Sequence, residues 1–131
     1  MIKGIDHIDI SVEDVEESIK VFQKMGFELL HRTTHTGSAA ELKLPGANQP
    51  IFEVHPVMAQ YLEGKTGIRH IAFLVDNAQK TLDELKAEGV RFPQDRVLFQ
   101  PQTGRTMIVT EDLGRFFLHF VEEGRKPFIT H

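Results

Sequence analysis

Along Ile5–Val12 apolar and polar residues alternate. Ile8, Ile10 and Val12 fall on one face, and His7, Asp9 and Ser11 fall on the other. A period of two predicts a strand with one buried face. The period then changes. Val15, Ile19 and Phe22 recur at i, i+4 and i+7, which predicts a helix with a single apolar stripe. Asp14 suits the N-cap, with Glu17 three residues on to complete a capping box, and Gly26 suits the left-handed C-terminal position. β-rich stretches follow at Phe27–Thr34, Ser38–Leu44 and Pro50–His55, with Pro45, Gly46 and Asn48 breaking the last two apart.

The same punctuation returns 63 residues later. Gly4, Ile5, His7, Ile8, Val12 and Gly26 recur as Gly67, Ile68, His70, Ile71, Val75 and Gly89 without a gap. Apolar phase agrees as well: Ile10 answers to Phe73, Ile19 to Leu82 and Phe22 to Leu85. Asp76 with Gln79 is the expected cap of the second helix, and Ala78, Leu82 and Leu85 its apolar face. Further strands are expected at Val97–Phe99, Thr103–Thr110 and Arg115–Glu122, with Gly104 and Gly114 at their edges. A short helix is expected over Val57–Glu63. Beyond Gly124 the pattern ends, although Phe128 and Ile129 could pack on a neighbouring surface.

The organisation is therefore βαβββ, twice. It predicts an α+β fold in which two βαβββ modules form a mixed-sheet cleft. Residues 1–131 make one domain, with modules at 1–56 and 67–123 and a linker at 57–66. Each unit covers one sheet face with its helix and leaves the other bare. Two bare faces set together enclose a space lined by both halves.

Alternation then assigns side chains to that space. His7 and His70 lie opposite the helix-covered faces. In Pro50–His55, Glu53 shares a face with Ile51 and His55. In Arg115–Glu122, His119 shares one with Phe117 and Val121. Superposing the last strands of the modules sets Glu53 opposite His119, as the repeat sets His7 opposite His70. Three imidazoles and a carboxylate suit a divalent metal of the Zn, Fe, Mn, Co or Ni type. A six-coordinate ion held by His7, Glu53, His70 and His119 keeps two positions open, which is the mark of a catalytic site. Any one of these residues alone reads equally as a polar group on a half-exposed strand. His55 is expected at the rim or behind the ligands, and His31 and His35 in solvent.

Composition narrows the function classes. The chain has 15 Lys and Arg against 19 Asp and Glu, a formal charge of −4, and no basic run. Nucleic acid is thus a poor partner. There is no cysteine, which excludes disulfides, thiolate metal sites and cysteine nucleophiles. No apolar run approaches the roughly 20 residues that span a bilayer, and the N-terminus lacks a signal-peptide core. A cytoplasmic protein that binds a small molecule and no membrane is expected. Each module leaves a sheet edge, so a homodimer is expected too.

The residues Gly4-Ile5-Asp6-His7-Ile8, then Glu13 through Ile19 and Gly26-Phe27, resemble the vicinal oxygen chelate superfamily of glyoxalases, epimerases, extradiol dioxygenases and bleomycin-resistance proteins. The segments Ile51-Phe52-Glu53-Val54-His55-Pro56, Tyr61-Leu62-Glu63 and Gly67-Ile68-Arg69-His70-Ile71-Ala72-Phe73 are most similar to methylmalonyl-CoA epimerase and glyoxalase I relatives. The resemblance implies ligands at His7, Glu53 and His70. The fourth ligand in such proteins is usually a Glu of the last strand. Here Gly114 to Phe120 needs a one-residue insertion to bring His119 to that place, and Leu118 stands there without it. The resemblance also implies a substrate chelated through adjacent oxygens and a lyase or isomerase that removes a proton beside a metal-bound carbonyl. Glu53, His119 and Glu41 are the candidate bases. Glu41 otherwise reads as an ordinary surface charge. Lys43, Arg69 and Arg105 could receive a substrate anion or lie on the surface. The alternatives are an Fe(II)-dependent dioxygenase and a metal-free ligand-binding protein of the bleomycin-resistance kind.

Overall fold

The computed structural model describes residues 1–59, 64–110 and 117–128. The chain runs β1 (Ile2–Val12), α1 (Val15–Lys24), β2 (Glu28–Thr33), a 3-10 turn (His35–Gly37), β3 (Ala39–Lys43), β4 (Ile51–Pro56), β5 (Gly67–Val75), α2 (Ala78–Ala87), β6 (Leu98–Gln100), β7 (Arg105–Val109) and β8 (Phe117–Glu122). The βαβββ order thus appears twice. The expected helix at Val57–Glu63 falls partly outside the described residues. Gly114, Arg115, Ile129 and His131 fall outside them altogether.

The Asp14 carboxylate caps α1 by accepting from the Glu17 amide at 3.0 Å. For α2 the expected cap is off by one. Asn77, not Asp76, accepts from the Lys80 amide at 2.8 Å. Asn77 is the residue 63 places beyond Asp14, so the repeat itself marks the cap. Asp76 instead pairs with the N-terminal amine at the surface.

All eight strands join one sheet in the order β2-β3-β4-β1-β5-β8-β7-β6. The modules therefore meet edge to edge through the antiparallel β1–β5 pair, and not only face to face as the bare-face argument supposes. β1 is longer than the alternation suggests and starts at Ile2. The sheet curls strongly. Five strand spacings of about 4.8 Å separate β3 from β7, roughly 24 Å if flat. Yet the Arg105 guanidinium of β7 lies 3.4 Å from the Glu41 carboxylate of β3.

Two apolar cores lie on the convex, helix-covered side. Val15 and Ile19 of α1 pack on Ala40, Leu42 and Val54. Ala78 and Leu82 of α2 pack on Val75, Phe92, Ile108 and Phe120, with Leu118 against them. Leu118 thus faces the helix, and its neighbour His119 faces the concave side. A smaller third core, Ala72, Met107 and Val121, lies on the concave side of the second module.

The cap assignment has a direct test. Asn77→Ala is expected to cost about 1 kcal/mol in urea denaturation, whereas Asp76→Ala leaves the midpoint where it was. Equal effects of the two would return the cap to Asp76.

Candidate metal centre and cleft

On the concave side the strand registers set side chains in rows. Asp9 of β1 has Glu53 of β4 on one flank and His70 of β5 on the other. Ala72 lies between His7 and His119 in a second row. His7, Asp9, Glu53, His70 and His119 are all buried, as are Glu41, His55 and Arg105.

His7 and His70 face each other with their Nε2 atoms 3.0 Å apart. Two nitrogens each about 2.1 Å from one ion and at right angles to it stand about 3 Å apart. The spacing therefore fits a shared divalent ion. The other nitrogen of His7, Nδ1, lies 2.7 Å from the Asp6 carboxylate. Donation from Nδ1–H to Asp6 leaves the Nε2 lone pair aimed inward, the usual orienting arrangement of a metal-bound histidine. Glu53 contributes Oε1 to the same space, 3.7 Å from His35 Nε2. A small cavity of about 10 Å³ lies among His7, His35, Glu53, Arg69, His70, Gln100, Met107 and His119. That is room for about one water or one ion. The His7–His70 spacing fits a shared divalent ion, and the described donors whose atoms all lie within 4.8 Å of one another are Asp9, His35 and Glu53.

His119 is placed differently from His7 and His70. Its ring stacks on His70 with centroids 3.8 Å apart and planes inclined by 19°. Nearly parallel rings cannot both point in-plane lone pairs at one nearby ion. His119 also lines a larger cleft of about 410 Å³ with Arg69, Pro93, Gln94, Gln100, Met107, Val109 and Thr110. It thus stands where the ion-sized cavity meets a space the size of a small-molecule site.

The charges are heavily compensated. Arg105 is 2% exposed. Its Nη1 donates to Glu53 Oε2 at 3.0 Å and its Nε to Asp6 Oδ2 at 3.2 Å. Arg125 clamps both oxygens of Glu41, at 2.7 and 2.6 Å. Arg125 also lies 3.9 Å from the ring centroid of Phe128, against which His31 packs edge-on, so the C-terminal stretch does pack on the first module. Gly104 has φ +70°, and a Cβ there would collide with the Lys126 carbonyl, so glycine lets this stretch approach.

Burial alone would raise the Asp9 carboxyl. The hydrogen bond from His55 and the charge of Arg69 reverse this and hold it at about 2. Burial would lower His55, but its bond to Asp9 raises it above the ordinary imidazole value. Glu53 is raised by burial and lowered by Arg105, ending below the usual carboxylate range. Burial, then the neighbouring His119 and His7, drives His70 well down. Burial and His7 bring His119 to about 3.

Several expectations need correction. Glu41 is fully buried, not an ordinary surface charge, and Arg69 and Arg105 are buried as well. His35 is not solvated: its side chain is 12% exposed, borders the ion-sized cavity and meets Gln100 of the second module at 3.0 Å. His55 lies behind the site against Asp9. Asp9 escaped notice as a candidate although alternation already set it on the face of His7. His35 sits in an irregular turn, where periodicity carries no signal.

A profile described as the Glyoxalase/Bleomycin resistance protein/Dioxygenase superfamily matches residues 4–106. The uncharacterized protein YwbC of Bacillus subtilis is 26% identical over 124 residues, 92% of this chain and 98% of that protein. Methylmalonyl-CoA epimerase from Mycobacterium tuberculosis superposes with a TM-score of 0.73 at 23% identity, over 94% of this chain and 89% of that one. A variant of Streptomyces coelicolor methylmalonyl-CoA epimerase, in complex with 2-nitronate-propionyl-CoA, gives 0.76 at 20% identity, over 95% and 100%.

Two expectations follow from the buried charges. Arg105→Met strands the Glu53 carboxylate and is expected to cost about 3–5 kcal/mol. The double variant with Glu53→Gln recovers part of that loss, read by chemical denaturation. The second concerns pH. Folded His70 and His119 bind protons less readily than unfolded ones, so the unfolded state holds more protons below about pH 6.5. Metal-stripped protein should lose stability on acidification from pH 6.5 to 5. His119 alone supplies about 1.4 kcal/mol per pH unit, and His70 acts in the same direction. His55, raised instead, keeps its contribution throughout this acid window. A denaturation midpoint that stays level across the window would show that these imidazoles are not held neutral.

Proposed function

We propose that this chain, which belongs to the Glyoxalase/Bleomycin resistance protein/Dioxygenase superfamily, is a metal-dependent isomerase or epimerase that removes a proton beside a carbonyl of a small oxygenated metabolite or thioester. The observation that carries this reading is the position of His119. Its imidazole borders both the ion-sized cavity and the 410 Å³ cleft.

His7, His70 and Glu53 would hold the ion. Their donor types suit Zn, Fe, Mn, Co or Ni. A divalent ion there supplies a Lewis acid for negative charge developing on a substrate oxygen. Asp6 keeps the lone pair of His7 turned inward. Arg105 occupies Glu53 Oε2 and leaves Oε1 for the ion.

Among the three candidate bases, the geometry favours His119. Glu53 is held by Arg105, and Glu41 by Arg125 with Arg105 beside it. A carboxylate tied to a guanidinium has given up both its freedom and its basicity. His119 is driven toward its neutral form, and the same burial lowers its basicity, so what favours it over the two carboxylates is its position at the cleft. Glu41 then serves to position Arg105 and Arg125. Arg69, at the junction of the two cavities, would meet an anionic group of the substrate. The similarity to methylmalonyl-CoA epimerases favours an acyl thioester or a related carboxylated carbonyl compound as substrate.

The test is proton–deuterium exchange at the carbon next to a carbonyl, followed by NMR over a panel that includes methylmalonyl-CoA, with metal content measured in parallel. Exchange should stop on chelation and return with added divalent metal. His7→Ala and His70→Ala should lose the metal. His119→Ala should retain much of it while losing roughly 10²–10⁴-fold in exchange rate. Oxygen uptake with loss of a catechol-like substrate would move the reading to a dioxygenase. Tight binding without exchange, indifferent to chelators, would move it to a sequestering protein.

A further inference from the structure

We propose that Asp9 is an additional oxygen ligand of the divalent cation at this site, fixed for that purpose by His55. The inference rests on the proposal that the site holds a divalent cation.

The argument begins with the sheet. Asp9 stands between Glu53 and His70 in one row across three adjacent strands, β4, β1 and β5. An ion reached from Glu53 and His70 would sit near the middle residue. The middle residue here carries a carboxylate.

The second observation is how that carboxylate is bonded. Asp9 is fully buried. One oxygen, Oδ1, meets His55 Nε2. The other, Oδ2, has no hydrogen-bond partner among the described residues and lies 3.8 Å from His70 Nε2. A buried carboxylate oxygen without a donor is costly, and native structures rarely leave one. A cation removes the cost. The surrounding donors agree: ligand atoms of Asp9, Glu53 and His35 lie within 4.8 Å of one another.

The third observation is the fixing of the carboxylate. His55 Nδ1 donates to the Pro56 carbonyl at 2.7 Å, which sets the ring plane. Its Nε2 is then directed at Asp9. In the register His55 sits beside Ser11, one pleat beyond the row of Asp9. His55 is therefore behind the ligands and orients one of them. This reverses the usual arrangement, in which a carboxylate orients a metal-bound histidine. His7 with Asp6 shows the usual arrangement in the same site.

A second carboxylate beside Glu53 changes the ion the site prefers. Oxygen ligands favour Mn(II) relative to Zn(II), compared with a set dominated by imidazole. The bland reading is that Asp9 is simply the ion-pair partner of His55.

The experiment uses metal-stripped full-length protein titrated with Mn(II) by calorimetry and with Co(II) by visible absorption. Asp9→Asn is expected to weaken Mn(II) binding by about tenfold or more and to alter the Co(II) spectrum. His55→Gln leaves the carboxylate but loses its support, and is expected to weaken Mn(II) binding by about 10–100-fold. If Asp9→Asn does not fold, Asp9→Glu decides: a longer carboxylate on the ion shifts the Co(II) spectrum, and an unchanged spectrum overturns the proposal. Unchanged Mn(II) affinity and an unchanged Co(II) spectrum in Asp9→Asn overturn it as well, and leave the wild-type metal site standing. A wild-type protein that takes up neither ion removes the functional reading itself, a result distinct from the other two.

Discussion

Arg105 reaches from β7 across the cleft and sets one buried guanidinium against Asp6, Glu41 and Glu53 of the other module. A charge so placed persists only if it is fully compensated, because a low-dielectric interior penalises every unpaired ion. Both the shape and the chemistry of the site follow from this. The contact draws β7 toward β3 and β4 and sustains the curl of the sheet. It also sets the rotamer of Glu53 and, through Asp6, the orientation of His7. A guanidinium suits this task better than an ammonium, since its rigid fork reaches several carboxylates at once.

Around that contact the two halves of the concave surface differ in character. The first module contributes His7, Asp9, Glu41, Glu53 and His55, a dense polar wall. The second contributes Ala72, Met107 and Val121, an apolar patch, with Arg69, His70, Arg105 and His119 among its polar groups. The two modules are similar scaffolds that carry different side chains. One wall carries the charge that would hold the proposed ion. The other bounds a cleft of a size for an organic molecule. His119, at the boundary, belongs to both.

The acids and bases around the cleft also offset one another. Asp6, Asp9, Glu41 and Glu53 stand against Arg69, Arg105, Arg125 and a His55 that is raised toward its charged form. His70 and His119 are driven toward neutrality. A divalent ion would bring its own positive charge to the cleft, where an anionic substrate or a developing negative charge would meet it.

Much of this was legible in one dimension. The repeat at 63 residues, the helix faces of Val15, Ile19 and Leu82, and the concave positions of His7, Glu53, His70 and His119 all follow from periodicity. Side-chain direction in a strand is a local property, fixed by the pleat. The same rule set Asp9 on the face of His7 without saying what it meets. Which strands become neighbours, how far the sheet curls and which rotamer each ring adopts are decided by contacts between distant segments. Alternation therefore assigned His119 to the cleft but could not show that it stacks on His70. It could not show that Glu41 is gripped by Arg125, 84 residues away. Nor could it bring His35 from an irregular turn to the cavity wall. Local sterics write the face of each residue into the chain. Partnership across the cleft exists only once the sheet has closed on its buried charges.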